Sequence, residues 1–319
     1  MNCSRILDSL TELGELESRS IWLSIGMFDG VHVGHQSVLN LSRESSADKD
    51  SISAVLTFPE HPSGFLRHAD QPMLIMDSER KATHLLELGQ DWIVMQPFDD
   101  SLAKVKADDF PARLKDLVPS LVGICVGENF RFGHDRQGDS CSLKHLANSL
   151  GLQVKVAAAS VFDGSPVSSS RIRNSLLEGR IEAVNSMLGR SYRISGSVVE
   201  GRKLGGEIGF PTLNLPWDPQ ARPAYGVYLV QVAFPEKREL FYGVSNYGLR
   251  PTVIKSPSEP LLEVHLLGEG DLSSISPGVS VSVDLLKFIR PERKFESVDS
   301  LKTQIDADKI EAEKLAATL

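Results

Sequence analysis

The chain has 319 residues, with 41% hydrophobic and 24% charged residues and a formal net charge of −8. This length suffices for about two domains with cores of their own, and the composition excludes collagen-like, coiled-coil and disordered chains. The acidic balance argues against a broad nucleic-acid-binding surface, although local groups could still attract an anionic substrate.

The first half of the chain alternates short apolar runs with helical patterns. Strands are predicted at 21–26, 51–58, 91–98, 121–127 and 152–159, and helices at 35–44, 78–88, 108–117 and 140–150. Strands that are apolar throughout are buried on both faces, as in a parallel sheet. The repeated strand–helix–strand units predict an α/β doubly wound domain, in which ligands bind beyond the carboxyl ends of the strands.

The second half has a different pattern. Helices are predicted at 168–179 and 180–189, and after Gly189 the chain consists of β-runs broken by Gly, Pro and Asn. A single long helical pattern follows at 297–317. We predict a β-barrel domain with a terminal helix, and we place the two domains at 1–188 and 189–319.

The chain has three cysteines, Cys3, Cys125 and Cys141, and no Cys-x-x-Cys spacing. A disulfide framework or a zinc site is therefore not expected, and Cys125, within the apolar run LVGICVG, is predicted to be a buried thiol. The sequence shows neither a signal peptide nor a run of the ~18–20 apolar residues that a membrane span needs. We expect a protein of the reducing cytoplasm.

A motif with two histidines follows the first long strand: Gly26-Met27-Phe28-Asp29-Gly30-Val31-His32-Val33-Gly34-His35. Residues three apart share one face of a helix, and a helix that begins here would present both imidazoles at its N-terminus, where an anion is favoured. Two imidazole donors in that place suit a phosphate. The alternatives are two unrelated polar histidines or a metal pair without its third ligand; no Walker A pattern occurs.

GMFDGVHVGHQSVL resembles the FDGVHxGH segment of bacterial bifunctional riboflavin kinase/FAD synthetases, which belong to the HxGH nucleotidyltransferases. Further motifs resemble that family in the same order, namely TFPEHP (57–62), GENFRFGHDRQGD (127–139) and VSSSRIR (167–173). The resemblance implies transfer of AMP from ATP to FMN, with Mg²⁺ on the phosphates and with His32 and His35 stabilising the developing charge. The substrate-binding residues that it implies are Gly26, Phe28, Asp29, Gly30, His61, Asn129, Ser169, Ser170 and Arg173.

Several of these positions also have simpler structural interpretations. Asn129 could be a turn residue, and the hydroxyls at 168–170 could cap a helix as well as bind phosphate together with Arg173. His61 could contact the second substrate or cap a loop.

A second glycine-rich segment, 201–214, leads into a short predicted strand. The N–H groups of such a loop can form an anion-binding nest. Thr212 and Asn214 are two residues apart, so on a strand they point the same way, and their oxygens suit Mg²⁺. The alternative is a flexible connection followed by an edge strand.

The segments IGFPTLNL, GVSNYGLRPT and LLEVHLL are similar to the riboflavin kinase domain of the same family. The resemblance implies that Glu263 is the general base for phosphorylation of riboflavin and that Thr212 and Asn214 hold Mg²⁺. The ATP- or flavin-binding residues that it implies are Gly201, Lys203, Gly209, Pro211, Thr212, Asn214 and Arg250. The chain departs from the family pattern at Gly206, Leu213, Val253 and 271–278.

The leading hypothesis is a bifunctional enzyme that phosphorylates riboflavin to FMN on the β domain and adenylylates FMN to FAD on the α/β domain. The departures motivate an alternative, an FAD synthetase whose C-terminal domain binds flavin without phosphorylating it. Two further alternatives are a flavin-binding module without turnover and a nucleotidyltransferase for another phosphorylated acceptor. Riboflavin, FMN and ATP are the expected partners, without nucleic acid or membrane.

Overall fold

The computed structural model describes residues 5–48, 50–67, 71–201, 209–235, 237–249, 260–268 and 275–319. The chain folds as two compact units, Met1–Ser169 and Ser170–Leu319. Within the described ranges, no helix has the length and apolar character needed to cross a membrane.

The first unit alternates strands and helices. Its strands are β1 (Ile6–Leu7), β2 (Ser20–Ile25), β3 (Ser51–Thr57), β4 (Trp92–Met95), β5 (Leu121–Gly127), β6 (Arg131–Phe132), β7 (Gly138–Asp139), β8 (Gln153–Ala157), β9 (Val161–Phe162) and β10 (Ser165–Pro166). Its helices are α1 (Leu10–Leu16), α2 (Val33–Ser45), α3 (Pro62–Arg67), α4 (Ser78–Glu87), α5 (Asp100–Ala103), α6 (Phe110–Leu117) and α7 (Ser140–Asn148). Every strand and helix predicted for this half is present, and the unpredicted elements are short.

Six strands form one sheet in the order β1-β4-β3-β2-β5-β8, and all five pairs are parallel. This confirms the predicted α/β doubly wound fold. The chain runs from β2 outward through β3 to β4 and then returns to the other side of β2 with β5, so the strand order reverses between β2 and β5. Ligands of such sheets bind in the crevice outside the carboxyl ends of the strands at that reversal.

Apolar side chains cover both faces of this sheet. On one face Leu23 of β2 packs in a core with Leu13 of α1, and on the other Trp22 packs in a core with Leu39 of α2. Burial on both faces accounts for the near-continuous apolar strands. Cys125 of β5 is the buried thiol that the sequence predicts, and burial raises the pKa of this thiol to about 12.

The second unit is built mainly of strands. Its elements are α8 (Ser169–Leu177), which starts at the last residue of the first unit, α9 (Ile181–Leu188), β11 (Tyr192–Ser197), β12 (Leu213–Pro216), β13 (Gly226–Ala233), β14 (Leu240–Leu249), β15 (Pro260–Leu266), β16 (Ser280–Pro291) and α10 (Val298–Ala316). The six strands form an antiparallel sheet in the order β11-β16-β13-β14-β15-β12. A bridge between Val199 and Asn214 links the chain after β11 to β12. The result is a nearly closed barrel with a terminal helix, as predicted.

The helices α8 and α9 are hydrogen-bonded to this barrel. The backbone N–H of Ala224 donates to the carbonyl of Leu176, and the side-chain amide of Asn185 donates to the carbonyl of Leu285, both at 2.8 Å. Both helices therefore lie in the second compact unit, whereas the sequence places the domain boundary between 188 and 189. That boundary stays a prediction.

The terminal helix α10 packs on the outer face of β13. Val227 and Leu229 of that strand form an apolar cluster with Ala312. Beside this cluster, Arg290 makes a bidentate ion pair with the buried Asp308, with Nε–Oδ1 and Nη2–Oδ2 distances of 2.8 and 2.6 Å. The planar fork of arginine matches a carboxylate in this way, so the pair fixes the helix on the barrel.

We expect Asp308→Ala to lower the free energy of unfolding by about 3–5 kcal/mol, because it leaves the Arg290 guanidinium largely buried without its carboxylate. The exposed pair of Arg222 and Asp218, 2.6 Å apart, supplies the control. Asp218→Ala should cost no more than about 1 kcal/mol. Denaturant titrations of both variants measure the difference, and equal losses would contradict the role of the buried pair.

Candidate functional site

The turn that follows β2 has an unusual backbone. Phe28 and Val31 have φ angles of 51° and 42°, and Gly30 has 75°. A positive φ costs a residue other than glycine on the order of 1–3 kcal/mol, and it is especially rare for β-branched valine. Gly26 begins the turn, and its backbone N–H donates to the carbonyl of Leu56 at 3.1 Å. Strain of this kind is typical of ligand sites, and the turn lies at the sheet edge where ligands are expected.

Asp29 holds this strained turn in place. Its Oδ1 accepts hydrogen bonds from the backbone N–H groups of Ile75 and Met76, at 2.9 and 3.4 Å. Its carbonyl accepts a hydrogen bond from the hydroxyl of Ser169 at 3.0 Å. Asp29 and Ser169 therefore support the turn, and their predicted contacts with substrate stay predictions.

His32 and His35 form a stacked pair of rings at the start of α2. His32 is the N-cap residue, and its Nδ1 accepts a hydrogen bond from the backbone N–H of His35 at 3.3 Å. The ring centroids are 3.5 Å apart and the ring planes differ by 15°. A Cβ on Gly34 would lie 3.2 Å from the His32 ring, so the glycine leaves room for that ring. The helix begins at Val33, two residues before the predicted range 35–44, and the two rings are adjacent.

The surroundings of the two rings determine where each carries its hydrogen. Nδ1 of His32 accepts a hydrogen bond, so the neutral ring carries its hydrogen on Nε2. Among the described residues, Nδ1 of His35 is buried and has no hydrogen-bond partner, so a hydrogen there would be an unpaired buried donor. Both rings therefore carry their hydrogen on Nε2, at a helix terminus that favours anions.

The pKa of His35 lies well below its ordinary value near 6.5, chiefly because of burial, then because of His32 and Lys81. By area this side chain is only half-buried, but its Nδ1 is shut off from water, so desolvation dominates. His35 is therefore neutral at physiological pH. The two imidazole rings would therefore interact with a ligand as hydrogen-bond donors, and His35 would carry no charge.

Lys81 is a buried residue of this site that the sequence reasoning did not single out. It lies on α4, and its Nζ donates to the carbonyls of Phe58 and Met27, at 2.6 and 3.2 Å. Burial lowers the pKa of this ammonium to about 8, against the opposing effect of Asp29. Its burial could have been inferred from its position in the sequence. Leu85 lies four residues after Lys81, so the two residues share the apolar face of the helix.

The other substrate-binding residues predicted for this site lie in three separate segments of the chain. Asn129 is exposed in the turn after β5, at the ligand edge of the sheet. Nδ1 of His61 accepts from the backbone N–H of Ser63 at 3.2 Å, so His61 caps the start of α3. Ser170 and Arg173 belong to the second unit. Their contacts with substrate, and those of His61, stay predictions.

Three phenylalanines form an aromatic cluster beyond the carboxyl ends of β3 and β4. The ring of Phe98 makes T-shaped contacts with Phe58 and Phe65, at centroid distances of 5.6 and 5.9 Å. Phe65 is 41% exposed, so part of the cluster faces solvent. The sequence reasoning did not identify this cluster, because its members come from three separate segments.

The second candidate site lies where β12, β15 and β14 pair. Asn214 is directly opposite Glu263, and Glu263 is directly opposite Asn246. Residues opposite each other in antiparallel strands point to the same face, so these three side chains form a row. Glu263 is exposed and Asn214 is buried. Asn246 is an addition to the residues predicted for this site.

Gly201 and Thr212 meet at Asn214. The amide Nδ2 of Asn214 donates to the carbonyl of Thr212 at 3.2 Å, and a Cβ on Gly201 would lie 2.3 Å from that nitrogen. Because β12 begins at Leu213, Thr212 precedes the strand. The amide–carbonyl hydrogen bond, rather than strand alternation, therefore joins the two residues. The Asn214 amide oxygen and the Thr212 hydroxyl are hard ligands, which fits Mg²⁺.

The remaining predicted residues of this site are described only in part. The ring Nδ1 of His265 donates to the carbonyl of Pro211 at 2.9 Å, and Gly209 has a φ of 92°. Lys203 and Arg250 lie outside the described residues, as do the departures at Gly206, Val253 and 271–274. In the part of the chain that is described, no group of three or more His, Cys, Asp or Glu side chains could hold a metal ion.

Comparison with known proteins defines the class of this chain. Residues 15–171 match the family model of FAD synthetase, and residues 188–316 match that of riboflavin kinase. The chain is 36% identical over 286 residues to the bifunctional riboflavin kinase/FMN adenylyltransferase of Haemophilus influenzae, covering 90% of this chain and 91% of that protein. The enzyme of that name from Escherichia coli is 33% identical over 308 residues, covering 97% and 96%. The chain therefore belongs to the family of bifunctional riboflavin kinase/FMN adenylyltransferases.

A solved structure from Streptococcus pneumoniae is also similar. It matches with a TM-score of 0.82 at 26% identity, and it covers 97% of this chain and 99% of that chain. The protein in that structure is named a macrolide-efflux protein. The similarity extends over both units.

The neutral state of His35 predicts a pH dependence of stability. The unfolded chain takes up a proton at this histidine near pH 6.5 and the folded protein does not, so the free energy of unfolding falls as the pH drops below that value. The contribution is at most ~1.4 kcal/mol per pH unit. Denaturant titrations between pH 7.5 and 5.5 should show a smaller decrease for His35→Gln than for the unmodified protein. His134→Gln, which replaces an exposed histidine, is the control, and an identical decrease in all three proteins would contradict the assignment.

Proposed function

We propose that this protein makes FAD from riboflavin in two ATP-dependent steps, as a riboflavin kinase and an FMN adenylyltransferase. The observation that carries the proposal is the match of one chain to both family models, together with relatives named for both activities over 90% or more of its length. A C-terminal domain that binds flavin without phosphorylating it is not favoured, because Thr212, Asn214 and Glu263 lie together on the barrel.

In the adenylyl transfer, a phosphate oxygen of FMN attacks the α-phosphorus of ATP, and the bond from that phosphorus to the leaving pyrophosphate breaks. The attacking oxygen is already anionic, so no general base is needed, and the rate comes from positioning and charge stabilisation. We assign this stabilisation to His32 and His35. Their Nε2–H groups would donate to the α-phosphate and to the pyrophosphate as charge moves onto it.

The same edge of the sheet offers groups for the rest of the two substrates. The aromatic cluster of Phe58, Phe65 and Phe98 has an exposed part, which suits stacking of a flat ring such as that of FMN. The polar residues of this unit proposed for substrate binding are His61, Asn129 and Ser169, and the turn of Gly26, Phe28, Asp29 and Gly30 is proposed to bind the phosphates. For Ser170 and Arg173, which belong to the second unit, substrate binding is proposed from the family resemblance alone.

In the kinase step, we assign Glu263 as the base that takes the proton from the 5′-hydroxyl of riboflavin. The hydroxyl oxygen attacks the γ-phosphorus of ATP, and the bond from that phosphorus to ADP breaks. The exposure of Glu263 supports this role, because a hydroxyl can approach it from solvent. Thr212 and Asn214 would hold Mg²⁺, which, when bound, draws charge from the phosphate oxygens.

The proposed partners are the small molecules riboflavin, FMN and ATP, with Mg²⁺ as the cofactor. We propose a cytoplasmic location, which is supported by free thiols at the buried Cys125 and the exposed Cys141.

The two sites predict separable losses of activity. His32→Ala removes a donor to the transition state and should lower FMN adenylylation by about 10²–10³ in kcat, with phosphorylation of riboflavin unchanged. Glu263→Gln should lower riboflavin phosphorylation by about 10²–10⁴ and leave adenylylation of FMN unchanged. The measurement is chromatographic separation of riboflavin, FMN and FAD over time with ATP and Mg²⁺. Formation of FAD at the unmodified rate by His32→Ala would show that the site is assigned wrongly.

The close approach of Gly201 to Asn214 predicts a specific loss in the kinase. In Gly201→Ala the new methyl group must displace the Asn214 amide, since they would be 2.3 Å apart. The kcat for riboflavin phosphorylation should fall about tenfold or more. Gly196→Ala is the matched control, because the nearest atom to a Cβ there is 3.8 Å away, on Leu215. Equal kinase activity in the two variants would refute the Asn214 assignment.

A further inference from the structure

Lys81 is a buried charge with no part in the chemistry described above. Its side chain is 1% exposed, and it lies on α4 beside the core that contains Leu85. Removing an ammonium from water is costly even when it is hydrogen-bonded, and a packed apolar side chain of similar length is often at least as stable in such a place. Apolar packing alone therefore gives no reason for a lysine here.

The contacts of Lys81 join two loops at the ligand edge of the sheet. Met27 lies just beyond β2, in the strained turn that leads to His32, and Phe58 lies just beyond β3. The Lys81 Nζ donates to both carbonyls, at 3.2 and 2.6 Å. The hydroxyl of Thr57 donates to the carbonyl of Met27 as well, at 2.9 Å. An apolar side chain could fill the space but could not make these links.

We propose that Lys81 is a positioning residue for adenylyl transfer. Its ammonium holds the carbonyls of Met27 and Phe58 together, so that the strained turn presents His32 and His35 to the triphosphate. Lys81 acts through these carbonyls and touches no substrate. The inference rests on the proposed FMN adenylyltransferase activity.

The test is Lys81→Met in the full chain, which keeps the volume of the side chain and removes its donors. We expect the kcat for adenylylation of FMN to fall at least about tenfold, because the histidines act on the transition state, with a smaller change in KM for ATP. Riboflavin phosphorylation by the same protein should be unchanged. The free energy of unfolding should fall, because the carbonyl of Phe58 loses its donor.

Leu85→Ala is the matched control, because it removes core packing on the same helix without touching either loop carbonyl. It should lower the free energy of unfolding and leave the kcat for adenylylation at the unmodified value. A merely structural role for Lys81 predicts instead that kcat per folded protein is the same in Lys81→Met as in Leu85→Ala. That result, or an unchanged kcat in a folded Lys81→Met protein, would overturn the proposal.

Thr57→Val provides a second, near-isosteric variant in case Lys81→Met does not fold. It removes the other donor to the carbonyl of Met27, so kcat should fall, but less than in Lys81→Met because the link to Phe58 remains. An unchanged kcat in Thr57→Val would also count against the proposal.

If the unmodified protein forms no FAD from FMN and ATP, the proposed function fails. If it forms FAD and the variants do so equally well, only the role of Lys81 fails.

Discussion

The hydrogen bond from the backbone N–H of His35 to Nδ1 of His32 determines the chemistry available at the first site. It gives α2 its N-cap, it leaves Nε2 of His32 as the donor, and it brings the two rings into a stack. The strained turn and Gly34 make that geometry possible, since the ring lies where any larger residue would crowd it. The donors stand at the reversal of strand order, where a doubly wound sheet binds its ligands.

The second site depends on strand register rather than on a helix terminus. The pairing of β12, β15 and β14 brings Asn214, Glu263 and Asn246 into one row, although they are distant in sequence. A slip of one residue in any of these pairs would turn a side chain to the opposite face. The bridge from Val199 to Asn214 fixes the outermost strand, and it thereby links the closure of the barrel to the placement of the amide proposed to hold Mg²⁺.

Much of the fold could be predicted from the sequence, because the apolar runs of the parallel strands and the broken β-runs of the barrel are local signals. The helix after the histidine motif could be predicted in the same way, at 35–44, and the structure begins it two residues earlier, at Val33. The contacts of Lys81 and of the cluster of Phe58, Phe65 and Phe98 could not be predicted from the sequence. They form only when β3, β4 and α4 come together at one edge of the sheet. The assignment of α8 and α9 to the second unit likewise depends on hydrogen bonds between residues far apart in sequence. The helical periodicity of the sequence cannot predict such bonds.

The central claim is that two imidazoles at the start of α2 bind the triphosphate through Nε2–H groups. Nitrogen-15 NMR of the histidine-labelled protein, titrated with ATP and Mg²⁺, tests it most directly, because it reports the hydrogen on each ring nitrogen. The account predicts that at neutral pH both rings carry hydrogen on Nε2 alone and that these two signals shift on addition of ATP. Signals of His32 and His35 that ignore ATP, or a hydrogen on Nδ1 of either ring, would contradict it.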